Sequence, residues 1–165
     1  MVSSPPSEHY LDPVRRMKVR RRPEERVRQG WLRVMIERLG FPRGHLAVEK
    51  ELSELPHLLG VAVPKRRIDI VAFAPGIHKQ YALFPLLLVE CKAASLTEAT
   101  AAQALSYNEV VMAPFVAVVN EEVCWTGRFC KESGRYLFTE GMPTYSSLLG
   151  MIENSRVTGP SSLAL

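Results

Sequence analysis

Three charged side chains stand where charge is expensive. Glu90 and Lys92 lie inside the apolar run "LLLVECKA", Leu86 to Ala93, and Asp69 lies inside a second one, "RRIDIVAF", Arg66 to Phe73. A buried charge without a partner is costly, so such groups pair or bind a metal. Both runs are rich in aliphatic and β-branched residues and read as strands. Positions two apart on a strand share a face. Glu90 and Lys92 therefore point the same way, while Val89, Cys91 and Ala93 are expected in the opposite layer. If the two strands pair, Asp69 joins Glu90 and Lys92 at one sheet edge.

Two neighbouring carboxylates suit Mg²⁺, which takes one or two carboxylates and keeps several waters. Such an ion lowers the pKa of a bound water and neutralises charge building on a phosphate. A lysine beside it can orient that water or stabilise the phosphorane oxygens. The competing reading is a buried ion pair, Glu90–Lys92 or Asp69–Lys92. Buried pairs stabilise a fold poorly. Local chemistry alone leaves both readings open.

The elements that must place these groups follow from the pattern. Pro23 stands where a helix can begin, with Glu24 and Glu25 in its first turn, an arrangement that suits the helix dipole. Val27, Trp31, Val34 or Met35, and Leu39 give its apolar face, and Gly40 and Pro42 end it. "HLAVEKEL" alternates like a strand, which leaves Glu49 and Glu51 facing solvent. Short loops then favour antiparallel pairing of this strand, "RRIDIVAF" and Leu86–Lys92. Ser95 and Glu98 have capping-box spacing ahead of a helix over about residues 97–110. "PFVAVVN", Pro114 to Asn120, reads as a buried strand, "RYLFTE" as another and "TYSSLLGMIEN" as a last helix. A helix between two strands of one sheet implies a right-handed crossover and a parallel pair. The expected architecture is an α/β sandwich, a central mixed β-sheet flanked by helices on both faces.

The 165 residues fit one domain over 23–154, with a basic N-terminal arm over 1–22 and a flexible C-terminal tail over 155–165. No apolar run approaches the roughly 18 residues of a membrane span. The N-terminus has no apolar core of a secretory signal. Cys91, Cys124 and Cys130 form no CxxC pair and read as reduced thiols of a cytoplasmic protein. The histidines are not at zinc-ligand spacing. The net charge is +4, but Arg15, Arg16, Lys18, Arg20, Arg21, Arg22, Arg26 and Arg28 crowd one window. That cluster is either a phosphate-binding footprint or a solvated basic arm.

Asp69 followed by Glu90-x-Lys92 resembles the PD-(D/E)XK nuclease superfamily. More closely, the chain resembles stand-alone proteins similar to the N-terminal nuclease domain of type I restriction enzyme R subunits. The stretches that carry this are "YLDPVRRMKV", "RPEERVRQ", "LGFP", "AVEKEL", "RRIDIV", "PLLLVECKA", "QALSYN" and "APFVAVVN", over about residues 10–120. The resemblance implies a restriction-endonuclease-like fold and Mg²⁺-dependent cleavage of DNA, with Mn²⁺ able to substitute. It implies Asp69 and Glu90 as metal ligands together with the backbone carbonyl of Cys91, and Lys92 serving the attacking water. It adds a glutamate on the first helix, Glu24 by spacing or Glu25 as the alternative; without the resemblance, plain helix-dipole charge is the preferred explanation of both. Gln103 and Tyr107, one turn apart, form the Gln-x-x-x-Tyr pattern of these domains. They either contact the substrate and support the catalytic strand or mark the polar edge of an amphipathic helix.

Arg22 and Arg28 are expected on DNA phosphates, with little reading of sequence. A homodimer would let each protomer cut one strand. Two departures stand out: Ile68 replaces the proline of the superfamily's motif, and Glu121 follows Asn120 where relatives carry glycine. No GxxxxGK[ST] loop is present, so neither a nucleotide cofactor nor ATP hydrolysis is expected. The alternative function is a non-cleaving DNA- or protein-binding module on the same fold.

Overall fold

The computed structural model describes residues 8–157. The expectations that fall on residues 1–7 and 158–165, parts of the arm and the tail, lie outside the described residues. The chain forms a two-stranded hairpin, β1 (His9–Leu11) and β2 (Lys18–Arg20), then α1 (Pro23–Glu37). Strands β3 (Leu46–Glu51), β4 (Arg67–Pro75) and β5 (Leu83–Cys91) follow, then α2 (Glu98–Val111), β6 (Phe115–Val119), β7 (Cys124–Cys130), β8 (Arg135–Glu140) and α3 (Tyr145–Val157). The main sheet runs β3-β4-β5-β6-β7-β8 in space. Only β5 and β6 are parallel, joined by α2; the other neighbours are antiparallel. This is the mixed sheet with helices on both faces that the pattern predicts.

The central strands are buried on both faces, which is why they read as continuous apolar runs. On one face Ile70, Ala72, Val89 and Cys91 pack with Val27, Leu32 and Met35 of α1 and Leu148 of α3. On the other, Val71, Phe73 and Leu88 meet Leu52, Leu55 and Leu58 and the end of α2 at Val111. Ile70, Val71, Leu87, Leu88 and Val89 are fully buried, each contributing about 1.5–3 kcal/mol. The β4–β5 register shifts between Ala72 and Phe73, where Phe73 faces Pro85. A proline cannot donate to the ladder, and the irregularity falls there.

The helix ends follow local chemistry. Pro23 opens α1, Gly40 adopts φ +72°, and Phe41 N–H donates to the Met35 carbonyl at 2.9 Å. The cap of α2 is not Ser95 with Glu98 but Thr97 with Thr100: Thr100 N–H donates to Thr97 Oγ1 at 3.3 Å. Asn108 then locks the exit of α2 by bonding both the N–H and the carbonyl of Ala113. At the other end of the chain, α3 runs to Val157, past the expected end at 154.

Two further expectations are corrected, and one strand was not foreseen. The segment read as an extended arm folds from His9 into the hairpin, with Val19 on its buried side. Cys124–Cys130 forms a strand that alternation did not reveal. Ala93 is exposed, because β5 ends at Cys91 and the chain leaves the sheet there.

Candidate active site

Asp69 and Glu90 come together because β4 and β5 are antiparallel with Ile70 opposite Val89. Carrying that register one step further sets Asp69 against Glu90. In the β3–β4 pair, Val48 faces Ile70 and Lys50 faces Ile68, so Glu49 falls opposite Asp69. Three carboxylates thus form a row across three neighbouring strands. Glu49 has φ +50°, a left-handed conformation that costs a non-glycine residue about 1–2 kcal/mol. Such strain collects where a side chain must be aimed.

The row is internally braced. Asp69 Oδ1 accepts from Arg28 Nη2 at 2.7 Å, and Asp69 Oδ2 accepts from the Cys91 backbone N–H at 2.8 Å. Arg28 also reaches Glu25 at 2.5 Å and Glu49 at 3.1 Å. Burial opposes the charge on Arg28, but Asp69, Glu25 and Glu49 more than offset it and its proton affinity rises. Burial likewise opposes the ionised form of Glu49, and Arg15 and Arg28 overcome it and lower its pKa.

At the next position Lys92 Nζ lies 2.9 Å from Glu90 Oε1. Glu90 is buried, and burial together with the charge of Asp69 pushes its pKa up to about 7 despite Lys92. Burial works against the charge on Lys92, yet Glu90 raises its pKa. Both partners therefore hold their protons tightly. The carboxyl that should ionise sits beside another carboxylate in a poorly solvated place, an environment a cation would relieve.

The first-helix glutamates separate clearly. Glu25 is buried in the ion network, accepting from Arg28 and Gln29. Glu24 is exposed at the mouth and acts electrostatically on both Glu90 and Lys92. A groove of about 450 Å³ opens here, lined by Arg22, Glu24, Glu25, Arg28, Glu49 and Arg67 among others. Arg22 also borders a second depression with Glu8, Arg20 and Arg21, so a largely basic edge adjoins the groove.

Of the expected phosphate ligands, Arg22 is exposed, but Arg28 is turned inward onto Asp69. Arg15 is likewise turned inward, and Arg26 pairs with Glu121 at 3.0 Å. Glu49, read as solvent-facing, points into the network, and Glu51 caps the single helical turn Leu52–Glu54. Gln103 Nε2 donates to Tyr107 Oη at 3.1 Å, and Arg66 lies over the Tyr107 ring at 5.3 Å. These two side chains form their own cluster on α2, with no contact to Asp69, Glu90 or Lys92 given by their bonds.

Sequence reasoning missed Asp12, Arg15, Gln29 and Glu49. Asp12, Arg15 and Gln29 lie in "YLDPVRRMKV" and "RPEERVRQ", stretches that carry the family resemblance, and that was the one signal available for them. Among the described residues no three His, Cys, Asp or Glu side chains group as a metal site. The donor set at hand is two carboxylates, Asp69 and Glu90, beside the backbone of Cys91. That set fits a hard ion that keeps most of its waters.

A mixed sheet carrying strand-borne acids and a lysine at the end of β5 defines a restriction-endonuclease-like class. Residues 23–143 match the family described as "Type I restriction enzyme R protein N terminus (HSDR_N)". The chain belongs to that family. It is also similar in fold to a fragment of a putative HsdR subunit of a type I restriction enzyme from Vibrio vulnificus YJ016. The two share 16% identity at a TM-score of 0.51, over 80% of this chain and 25% of that one. The chain thus spans about a quarter of that relative. No curated protein matches the chain. No helix among the described residues is long and apolar enough to cross a membrane.

Proposed function

We propose that this chain is a metal-dependent nuclease that hydrolyses phosphodiester bonds of DNA. The observation that carries the reading is the placement of Asp69 against Glu90 across β4 and β5, with Lys92 Nζ 2.9 Å from Glu90. Bound Mg²⁺ or Mn²⁺ would be held by Asp69 and Glu90 and would supply an acidified water and neutralisation of phosphate charge. Glu90 must give up its proton to take part, and the pair with Lys92 provides the counter-charge that permits it. Lys92, partly exposed at the strand end, is placed to hold the attacking water or to stabilise the developing oxyanion. Glu24 at the groove mouth adds negative charge beside Lys92 and favours its protonated form. Arg20, Arg21 and Arg22 would bind backbone phosphates without reading bases.

A second reading has its own support. Both acids already carry basic partners, Arg28 on Asp69 and Lys92 on Glu90. A non-cleaving DNA-binding module would keep the charges compensated in this way.

One experiment separates them. Plasmid and linear DNA are incubated with the protein and Mg²⁺, Mn²⁺ or EDTA, beside Asp69→Ala and Lys92→Ala. Metal-dependent nicking that both substitutions abolish supports the nuclease. Cleavage that survives Lys92→Ala removes the assignment of the site. Salt-dependent binding with no cleavage in any metal supports the module.

A further inference from the structure

Asp12 is a fully buried carboxylate. Its Oδ1 accepts from the Val14 and Arg15 backbone N–H groups at 2.9 and 2.7 Å, which fixes the hairpin turn. Its Oδ2 faces the other way. It accepts from Arg15 Nε at 2.9 Å and from Gln29 Nε2 at 2.7 Å. Burial disfavours the carboxylate, but these donors outweigh it and the pKa is lowered.

Each partner of Oδ2 leads to the acid row. Arg15 Nη1 lies 2.5 Å from Glu49, the strained residue of the row, and Arg15 Nη2 lies 3.5 Å from Glu25. Gln29 Nε2 donates to Glu25 at 2.8 Å. Glu25 and Glu49 both grip Arg28, and Arg28 holds Asp69. The chain of contacts therefore runs from the hairpin through α1 and β3 to β4. The family match starts at residue 23 and does not include the hairpin.

We propose that Asp12 is a positioning residue of the acid row: through Arg15 and Gln29 it seats Glu49 and Glu25 on Arg28 and so fixes Asp69. The N-terminal hairpin is then part of the working site, with its inner side bracing the acids and its outer edge carrying Arg20, Arg21 and Arg22. The inference rests on the nuclease reading for its catalytic consequence, but not for the physical link itself.

Asp12→Asn tests it selectively. The amide oxygen can keep both turn bonds, while an NH₂ replaces Oδ2 and meets the donors of Arg15 and Gln29. The expected result is a fall of about tenfold in kcat with KM for DNA unchanged, and a similar weakening of Mn²⁺ binding read by EPR, the usual scale for groups behind metal ligands. The Arg28 Nε resonance, identified by its absence in Arg28→Lys, should also shift. Arg15→Lys, which keeps the charge but loses the fork, should move the same readouts less. A lower melting temperature with unchanged kcat, Mn²⁺ affinity and Arg28 resonance would overturn the proposal and leave Asp12 a simple staple of the hairpin. If the wild type neither binds Mn²⁺ nor cuts DNA, the nuclease reading fails; the Arg28 resonance in Asp12→Asn then still decides the link.

Discussion

Arg28 Nη2 donates to Asp69 Oδ1 at 2.7 Å, so the guanidinium expected on DNA is engaged inside the protein. The same side chain touches Glu25 and Glu49 and is almost wholly buried. It neutralises part of a carboxylate row that would otherwise repel itself. The acids can then stand close together without unfolding the sheet edge that carries them.

Removing that guanidinium should be expensive. Arg28→Ala leaves Glu25, Glu49 and Asp69 facing one another without their common partner. Breaking a buried ion network from one side costs about 3–5 kcal/mol. Urea unfolding at neutral pH measures it, and Arg28→Lys should fall between the two because an ammonium cannot fork onto three carboxylates. A loss below about 1 kcal/mol, the value of an exposed pair, would show that the row is solvated rather than braced.

Glu90 should trade stability for chemistry. Its pKa rises from an ordinary 4.5 to about 7, chiefly through burial. A raised carboxylate pKa favours the folded state fully below the unfolded value, and that contribution is lost as pH rises through the folded one. Between about pH 4.5 and 7 the unfolded chain gains more from ionising than the folded chain does. Glu90→Gln, which never ionises, should therefore be more stable than wild type at pH 8, on the order of 2–3 kcal/mol. The gap should close near pH 4. Denaturant melts at the two pH values check this, and a destabilised Glu90→Gln at pH 8 would contradict it.

What the sequence made legible was what local pattern dictates. β4, β5 and β6 announce themselves because strands buried on both faces must be apolar throughout, and Asp69, Glu90 and Lys92 stand out against that background. The helices are equally plain from Pro23, Gly40 and the alanine-rich α2. Long-range partners left no such trace. Arg15 and Arg28 look like their exposed neighbours until the hairpin folds back. Glu49 looks solvent-facing because alternation assumes a regular strand, and its φ of +50° breaks that assumption. β7 was missed because Cys124–Cys130 is neither apolar throughout nor regularly alternating, and its place in the sheet is set by pairing with β6 and β8.

Gly127 of β7 gives a test of that missed strand. It faces Phe138 of β8 in the register, and a Cβ built on it would lie 2.7 Å from the Phe138 ring. Gly127→Ala should destabilise by about 1–3 kcal/mol through overpacking. The lower end is expected, because Phe138 is only half-buried and its ring can swing outward. Adding Phe138→Leu should recover most of the loss in thermal melts. No recovery would mean that the cost arises in the backbone and not in this contact.

Metal binding should itself depend on pH, with the sign set by Glu90. The carboxyl must be deprotonated to ligate, so metal and proton compete for it. With a pKa of about 7, Glu90 is mostly protonated at pH 6 and mostly ionised at pH 8. Mn²⁺ affinity measured by EPR should therefore rise about tenfold between those pH values. The same titration on Asp69→Asn separates the two acids. Asp69 contributes the repulsion that helps raise Glu90, so its removal should lower the midpoint while also weakening the ion. A Mn²⁺ affinity that is flat from pH 6 to 8 in the wild type would place the ion away from Glu90. It would also leave the Glu90–Lys92 contact as an ion pair and nothing more.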